Sequence, residues 1–88
     1  MSYTLYIVCC ADGTLYTGIA TDVERRLSQH NGAKGKGARY TAARRPVRLV
    51  YSTPYPTRSA ALIAEARIKR LTRAEKQKLI DTGSASGA

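Results

Sequence analysis

Two tyrosines, an arginine, a histidine and one glutamate are the residues of this 88-residue chain whose types and spacing could do chemistry. Tyr6 and Tyr16 flank Asp12-Gly13 in the stretch LYIVCCADGTLYTGIA, and Gly18 follows two positions after the second phenol. Either the phenols pack in a core or they face a substrate. Arg26 and His30 are four apart in VERRLSQH, so on a helix they share a face with Val23 and Leu27. If that stripe packs on a sheet, Arg26 and His30 emerge at its border. There they are a snorkelling arginine and a capping histidine. The alternative is a guanidinium forked onto a phosphate beside an imidazole that binds it or relays a proton.

Charge says what such a site would meet. Fifteen Lys and Arg against six Asp and Glu give a formal +9. A domain this small and basic implies a polyanionic partner, usually nucleic acid. Charge reports a partner and not a reaction, so a basic binding module that does no chemistry is the plain alternative. An enzyme working on phosphodiesters in such a chain needs an acid to hold a cation. Asp12 is explained by a turn, Asp22 and Glu24 by one helix start, Glu75 by another, and Asp81 by a frayed end. Glu65, mid-helix in ALIAEARIKRL, has no such local job. It is either an i,i+4 partner of Lys69 or a hard-cation ligand at the edge of a cleft. One acid is too few for a two-metal cluster.

The elements that must position these residues follow from pattern. Residues 3–10 and 14–20 read as strands around the Asp12-Gly13 turn. Thr21 or Asp22 caps a helix over 23–30, ending at Asn31-Gly32. Residues 32–46 are glycine-rich and basic, a loop. Residues 47–51 alternate as a third strand, and Pro54 and Pro56 break the chain. Thr57 or Ser59 caps a helix over about 58–70, and Thr72-Arg73-Ala74-Glu75 is a capping box for a last helix to about Ile80. The order ββαβαα predicts an α+β fold, a small three-stranded, largely antiparallel sheet flanked by helices. Residues 1–81 read as one domain and 82–88 as a disordered tail. No stretch approaches a membrane span. Cys9 and Cys10 are adjacent, so on a strand they face opposite ways and suit a reduced, cytoplasmic protein.

The loop holds Lys34, Lys36, Arg39, Arg44 and Arg45 with Tyr40 among them and no acid between 34 and 45. It reads as a surface that tracks a nucleic-acid backbone, with Tyr40 placed to stack on a base. Arg67, Arg70, Arg73, Lys76 and Lys78 either extend that track or are the exposed faces of two helices.

Together these motifs resemble the GIY-YIG nuclease superfamily over roughly residues 3–80. The first tripeptide falls on Thr4-Leu5-Tyr6 and the second on Tyr16-Thr17-Gly18, followed by Arg26, His30 and the glutamate of Ala61-Leu62-Ile63-Ala64-Glu65. The chain is most similar to the small single-domain bacterial branch, and also to the nuclease domain of the eukaryotic structure-specific endonuclease. Thr4 and Leu5 stand where the family has Gly and Ile, and Ile19 where some members carry lysine. The resemblance implies hydrolysis of a DNA backbone, with RNA as the other candidate polymer. It implies a single Mg²⁺ or Mn²⁺ held by Glu65, Tyr16 as general base, and Tyr6 orienting the water or the phosphate. Arg26 would offset charge on the phosphorus, and His30 would tune Tyr6 or contact phosphate. Gly18 would allow close approach of backbone and substrate. Branched or single-stranded substrates, and a protein partner, suit a domain with so little surface for recognition.

One geometric demand follows. A strict two-residue Asp12-Gly13 loop would place Tyr6 opposite Ile19 and Tyr16 opposite Cys9, so the phenols would lie on opposite sheet faces. A shared site therefore requires a three-residue loop or a bulge, with Gly13 in the left-handed region.

Overall fold

A computed structural model describes residues 2–31 and 46–82 of the chain. The hairpin has the longer loop. Cys10 N–H donates to Thr14 O at 2.8 Å and Gly13 N–H to Cys10 O at 2.9 Å, which leaves Ala11, Asp12 and Gly13 as a three-residue loop. Gly13 has φ +86°, the left-handed region where a side chain is disfavoured. The Asp12 carboxylate accepts from Thr14 N–H at 3.0 Å and from the Thr14 hydroxyl at 2.7 Å, closing the turn. The register of β1 (Tyr3–Cys9) on β2 (Leu15–Ala20) then pairs Tyr6 with Gly18 and Val8 with Tyr16. Directly opposed residues share a face, so the two phenols share one.

The sheet order is β2-β1-β3, with both pairings antiparallel. β3 (Arg48–Tyr55) runs four residues past the strand end expected at Tyr51 and contains Pro54. Pro54 lies opposite Thr4, and β3 pairs with β1 alone, so it is an edge strand, the place in a sheet where proline is tolerated. Between the pairs Ile7–Tyr51 and Val8–Leu49 the register shifts by one residue, a bulge at Val50.

Each face of the sheet carries a helical layer. α1 (Val23–His30) covers Tyr6, Val8, Cys10 and Val47 with Val23 and Leu27. Its N-cap is Asp22, which accepts from Arg25 N–H at 3.0 Å. α2 (Arg58–Lys69) and α3 (Arg73–Thr82) cover Leu5 and Ile7 on the other face, with Ile68, Ala64, Leu71, Leu79 and Ile80. Thr57 caps α2. The expected capping box at α3 is reciprocal: Thr72 N–H donates to Glu75 Oε1 at 2.8 Å and Glu75 N–H to Thr72 Oγ1 at 3.1 Å. α3 continues through Thr82, so residue 82, assigned above to the tail, is helical, and 83–88 lie outside the described residues. Among the described residues no helix is long and apolar enough to cross a membrane. The thiols of Cys9 and Cys10 are free, and Cys10 is buried.

Asn31, read from sequence as a helix stop, does more. Its side-chain amide donates to Val47 O at 2.9 Å, and its Oδ1 accepts from Val47 N–H at 2.6 Å. This pairing imitates a strand contact and ties the end of α1 to the start of β3, across the whole 32–45 segment.

Candidate active site

On the face under α1, Tyr6 is the centre of a polar cluster inside an apolar layer. Its hydroxyl lies 2.9 Å from His30 Nε2. The imidazole ring stands edge-on to both phenols, with centroids 5.9 Å from Tyr6 and 5.3 Å from Tyr16. The sequence placed His30 at a border, but it is 1% exposed, as deep as the core aliphatics. A polar ring that deep is stable only when bonded, and Tyr6 supplies the bond from 24 positions away.

Burial keeps His30 below its ordinary pKa, and the Arg26 charge adds to the effect. The ring is therefore neutral at pH 7, and in the Nδ1–H tautomer its Nε2 accepts the Tyr6 proton. Tyr6, 2% exposed, is pushed above the usual phenol value mainly by burial. The Arg26 guanidinium opposes that rise through a hydrogen bond to the phenol and through its charge, whereas Tyr16 and Glu65 add small increments. Arg26 is half-buried and its Nη1 donates to Gln29 Oε1 at 2.9 Å. Gln29 went unnoticed in the sequence, and its i,i+3 spacing from Arg26 is the signal that could have found it.

Gly18 makes room for Tyr6. A Cβ there would lie 2.6 Å from Tyr6 Oη and 2.8 Å from Cζ. The protein's own phenol lies across the glycine of the opposing strand and makes a close approach there.

Glu65 arrives from the other layer. It lies on α2, near enough to the Tyr6 phenol for its charge to be felt there. Its side chain is 19% exposed and pairs with Lys69, Nζ to Oε2 3.3 Å. No group of three or more His, Cys, Asp or Glu that could hold a metal occurs among the described residues. That donor set does not suit zinc. It does fit Mg²⁺, which keeps several waters and takes one or two carboxylates plus a substrate phosphate. Ile19, where some family members have lysine, packs against the Leu5–Ile7 layer and brings no amine. Lys34, Lys36, Arg39, Tyr40, Arg44 and Arg45 lie outside the described residues. Beside the cluster a cleft of about 280 Å³ is lined by Thr21, Asp22, Arg25, Arg26 and Gln29, so Arg26 faces both the phenols and solvent.

The model of the family described as the GIY-YIG catalytic domain matches residues 2–79. The chain belongs to the GIY-YIG family. Its relatives include a UPF0213 protein of Staphylococcus aureus, 53% identical over 79 residues that span 90% of this chain and 94% of that one. A UPF0213 protein of Staphylococcus saprophyticus is 52% identical with the same coverage. Among solved structures, the chain is similar to a UPF0213 protein from Bacillus halodurans determined by NMR in solution. The TM-score is 0.59 at 43% identity, covering 92% of this chain and 84% of that one. A protein from E. faecalis, also solved by NMR in solution, gives a TM-score of 0.61 at 40% identity, with 90% and 83% covered. The GIY-YIG family is a nuclease family, generally dependent on a divalent metal, and its domain implies a nucleic-acid substrate.

Proposed function

We propose that this GIY-YIG protein is a metal-dependent DNA endonuclease that hydrolyses phosphodiester bonds with little sequence specificity and prefers branched or single-stranded substrates. The observation that carries the reading is the cluster of Tyr6, Tyr16, Arg26 and His30 on one sheet face. A hydrophobic core has no use for a buried phenol–imidazole pair flanked by a guanidinium unless something polar is to be positioned.

The residues divide the work by burial. Tyr6 is locked against His30 and holds its proton tightly, which suits it to orient a water or phosphate oxygen and not to remove a proton. Tyr16 is only half-buried, so it is the phenol placed to take a proton from the attacking water. Arg26, braced by Gln29, offsets charge that grows on the phosphoryl oxygens, a contribution of several kcal/mol in a dry site. Glu65 would hold the single Mg²⁺ or Mn²⁺. When bound, such an ion polarises the phosphate and stabilises the departing 3′ oxygen. The basic residues of 32–45 would carry the flanking backbone. Residues 1–81 would act as one domain, in the cytoplasm, where the free thiols stay reduced.

The Glu65–Lys69 pair favours a rival reading, a basic nucleic-acid-binding module in which that acid is only structural. The experiment that separates them is cleavage of a panel of flaps, forks, Holliday junctions, single strands and RNA, in Mg²⁺ or Mn²⁺ and in chelator. Tyr16→Phe and Glu65→Gln should each lower metal-dependent cleavage by about a hundredfold or more while nucleic-acid binding persists. Cleavage that persists in both variants, or that the wild-type chain lacks on every substrate with and without a partner fraction, rules out the enzymatic reading.

A further inference from the structure

Four of the six acids satisfy a group on their own turn or helix. Asp12 bonds Thr14, Asp22 bonds Arg25 N–H, Glu75 bonds Thr72 and Asp81 accepts from Gln77. Glu65 meets a second full charge instead. The Lys69 ammonium lies 3.3 Å from its Oε2, one helical turn on. The two partners differ in exposure: Glu65 is 19% exposed and Lys69 54%. A largely covered carboxylate requires a cation, and here the cation stands on the solvent side of it. Lysine suits that post. Its charge is a hydrated point on a flexible four-carbon stem, so it can leave without moving the helix. Arg26, by contrast, is braced by Gln29.

We propose that Lys69 is a displaceable counterion: it neutralises Glu65 in the metal-free protein, then releases that carboxylate to the divalent ion and transfers its ammonium to a nucleic-acid phosphate. The inference rests on the reading of Glu65 as a metal ligand. It adds that the metal and the polyanion bind cooperatively, because each removes what opposes the other. In the free protein the ion must compete with Lys69 for the carboxylate. A nearby phosphate offers the ammonium another partner, and linkage makes the gain reciprocal. The protein then holds its ion weakly until substrate is present.

The test is Mn²⁺ binding to the free, full-length chain, read as unbound Mn²⁺ by electron paramagnetic resonance. Lys69→Met should bind Mn²⁺ about two- to fivefold more tightly than wild type, the range set by the strength of an i,i+4 pair. Lys69→Arg, which keeps the charge, should bind no more tightly than wild type. Lys69 is exposed, so neither substitution threatens the fold. If Lys69→Met binds no more tightly while Glu65→Gln abolishes binding, Glu65 is the ligand and the counterion proposal fails. If Glu65→Gln binds as wild type does, both readings fail. A second measurement tests the transfer. With Mn²⁺ and a non-cleavable phosphorothioate single strand, the salt dependence of wild-type binding should exceed that of Lys69→Met by a slope of about 0.7. Equal slopes overturn the transfer to phosphate.

Discussion

Gly18→Ala should unfold this protein at a markedly lower temperature, although glycine-to-alanine changes in strands ordinarily stabilise. The new methyl carbon would lie 2.6, 2.8 and 3.2 Å from Oη, Cζ and Cε2 of Tyr6. The ring cannot yield freely, since it is 2% exposed and tied to His30 at 2.9 Å. Overpacking costs about 1–3 kcal/mol. Loss of the Tyr6–His30 bond adds about 1 kcal/mol. Reduced freedom of the unfolded chain offsets about 0.4–1 kcal/mol. The net is about 1–3.6 kcal/mol of destabilisation, a fall of roughly 4–29 °C in Tm for a domain of this size. Thermal unfolding followed by circular dichroism measures it. The control is Tyr6→Leu, which removes the ring: on that background Gly18→Ala should be neutral or stabilising, with a coupling of about 1 kcal/mol or more. An equal cost on both backgrounds, or an unchanged Tm with Tyr6 present, refutes the claim that the phenol is what keeps residue 18 small.

His30 is the chain's one histidine, so its titration can be isolated. Its folded pKa is lowered, so between that value and the unfolded value of about 6.5 the unfolded chain binds the extra proton. Stability is thus fully present above about pH 6.5 and lost as pH falls through the folded pKa, by up to about 1.4 kcal/mol per pH unit. Urea unfolding between about pH 5.5 and 7.5 should show this slope in wild type and not in His30→Gln; the same slope in both would assign it elsewhere. Thr17, 3% exposed under α2, has a buried hydroxyl with no hydrogen-bond partner among the described residues. Thr17→Val should stabilise by about 1 kcal/mol in the same assay, and a loss of stability would mean that the hydroxyl has a partner.

The hairpin was the part of the site most open to deduction. The tyrosines could share a face only with a three-residue loop or a bulge, and Asp12-Gly13 supplied both the side-chain bonds and the backbone freedom for the former. The capping box at Thr72 and Glu75 was legible because its bonds are local. Glu65 could be singled out because the other acids had neighbours to explain them. Pro54 misled: its meaning depends on whether its strand is at an edge, which is a property of the sheet and not of the strand. His30 misled for a similar reason. Its depth is set by Tyr6, 24 positions away, and helical periodicity knows nothing of that partner. The electrostatic reach of Glu65 to Tyr6 comes from the opposite layer, so it too required the assembled fold.

The two hydrogen bonds between Asn31 and Val47 join the end of α1 to the residue before β3 without help from the sequence between them, the basic segment. That segment contributes nothing to the pairing that bridges it. Its length and charge can drift, or be exchanged wholesale between homologues, while the phenols, imidazole and guanidinium keep their places. The basic segment and the phenol–imidazole cluster can then evolve independently within a chain of 88 residues.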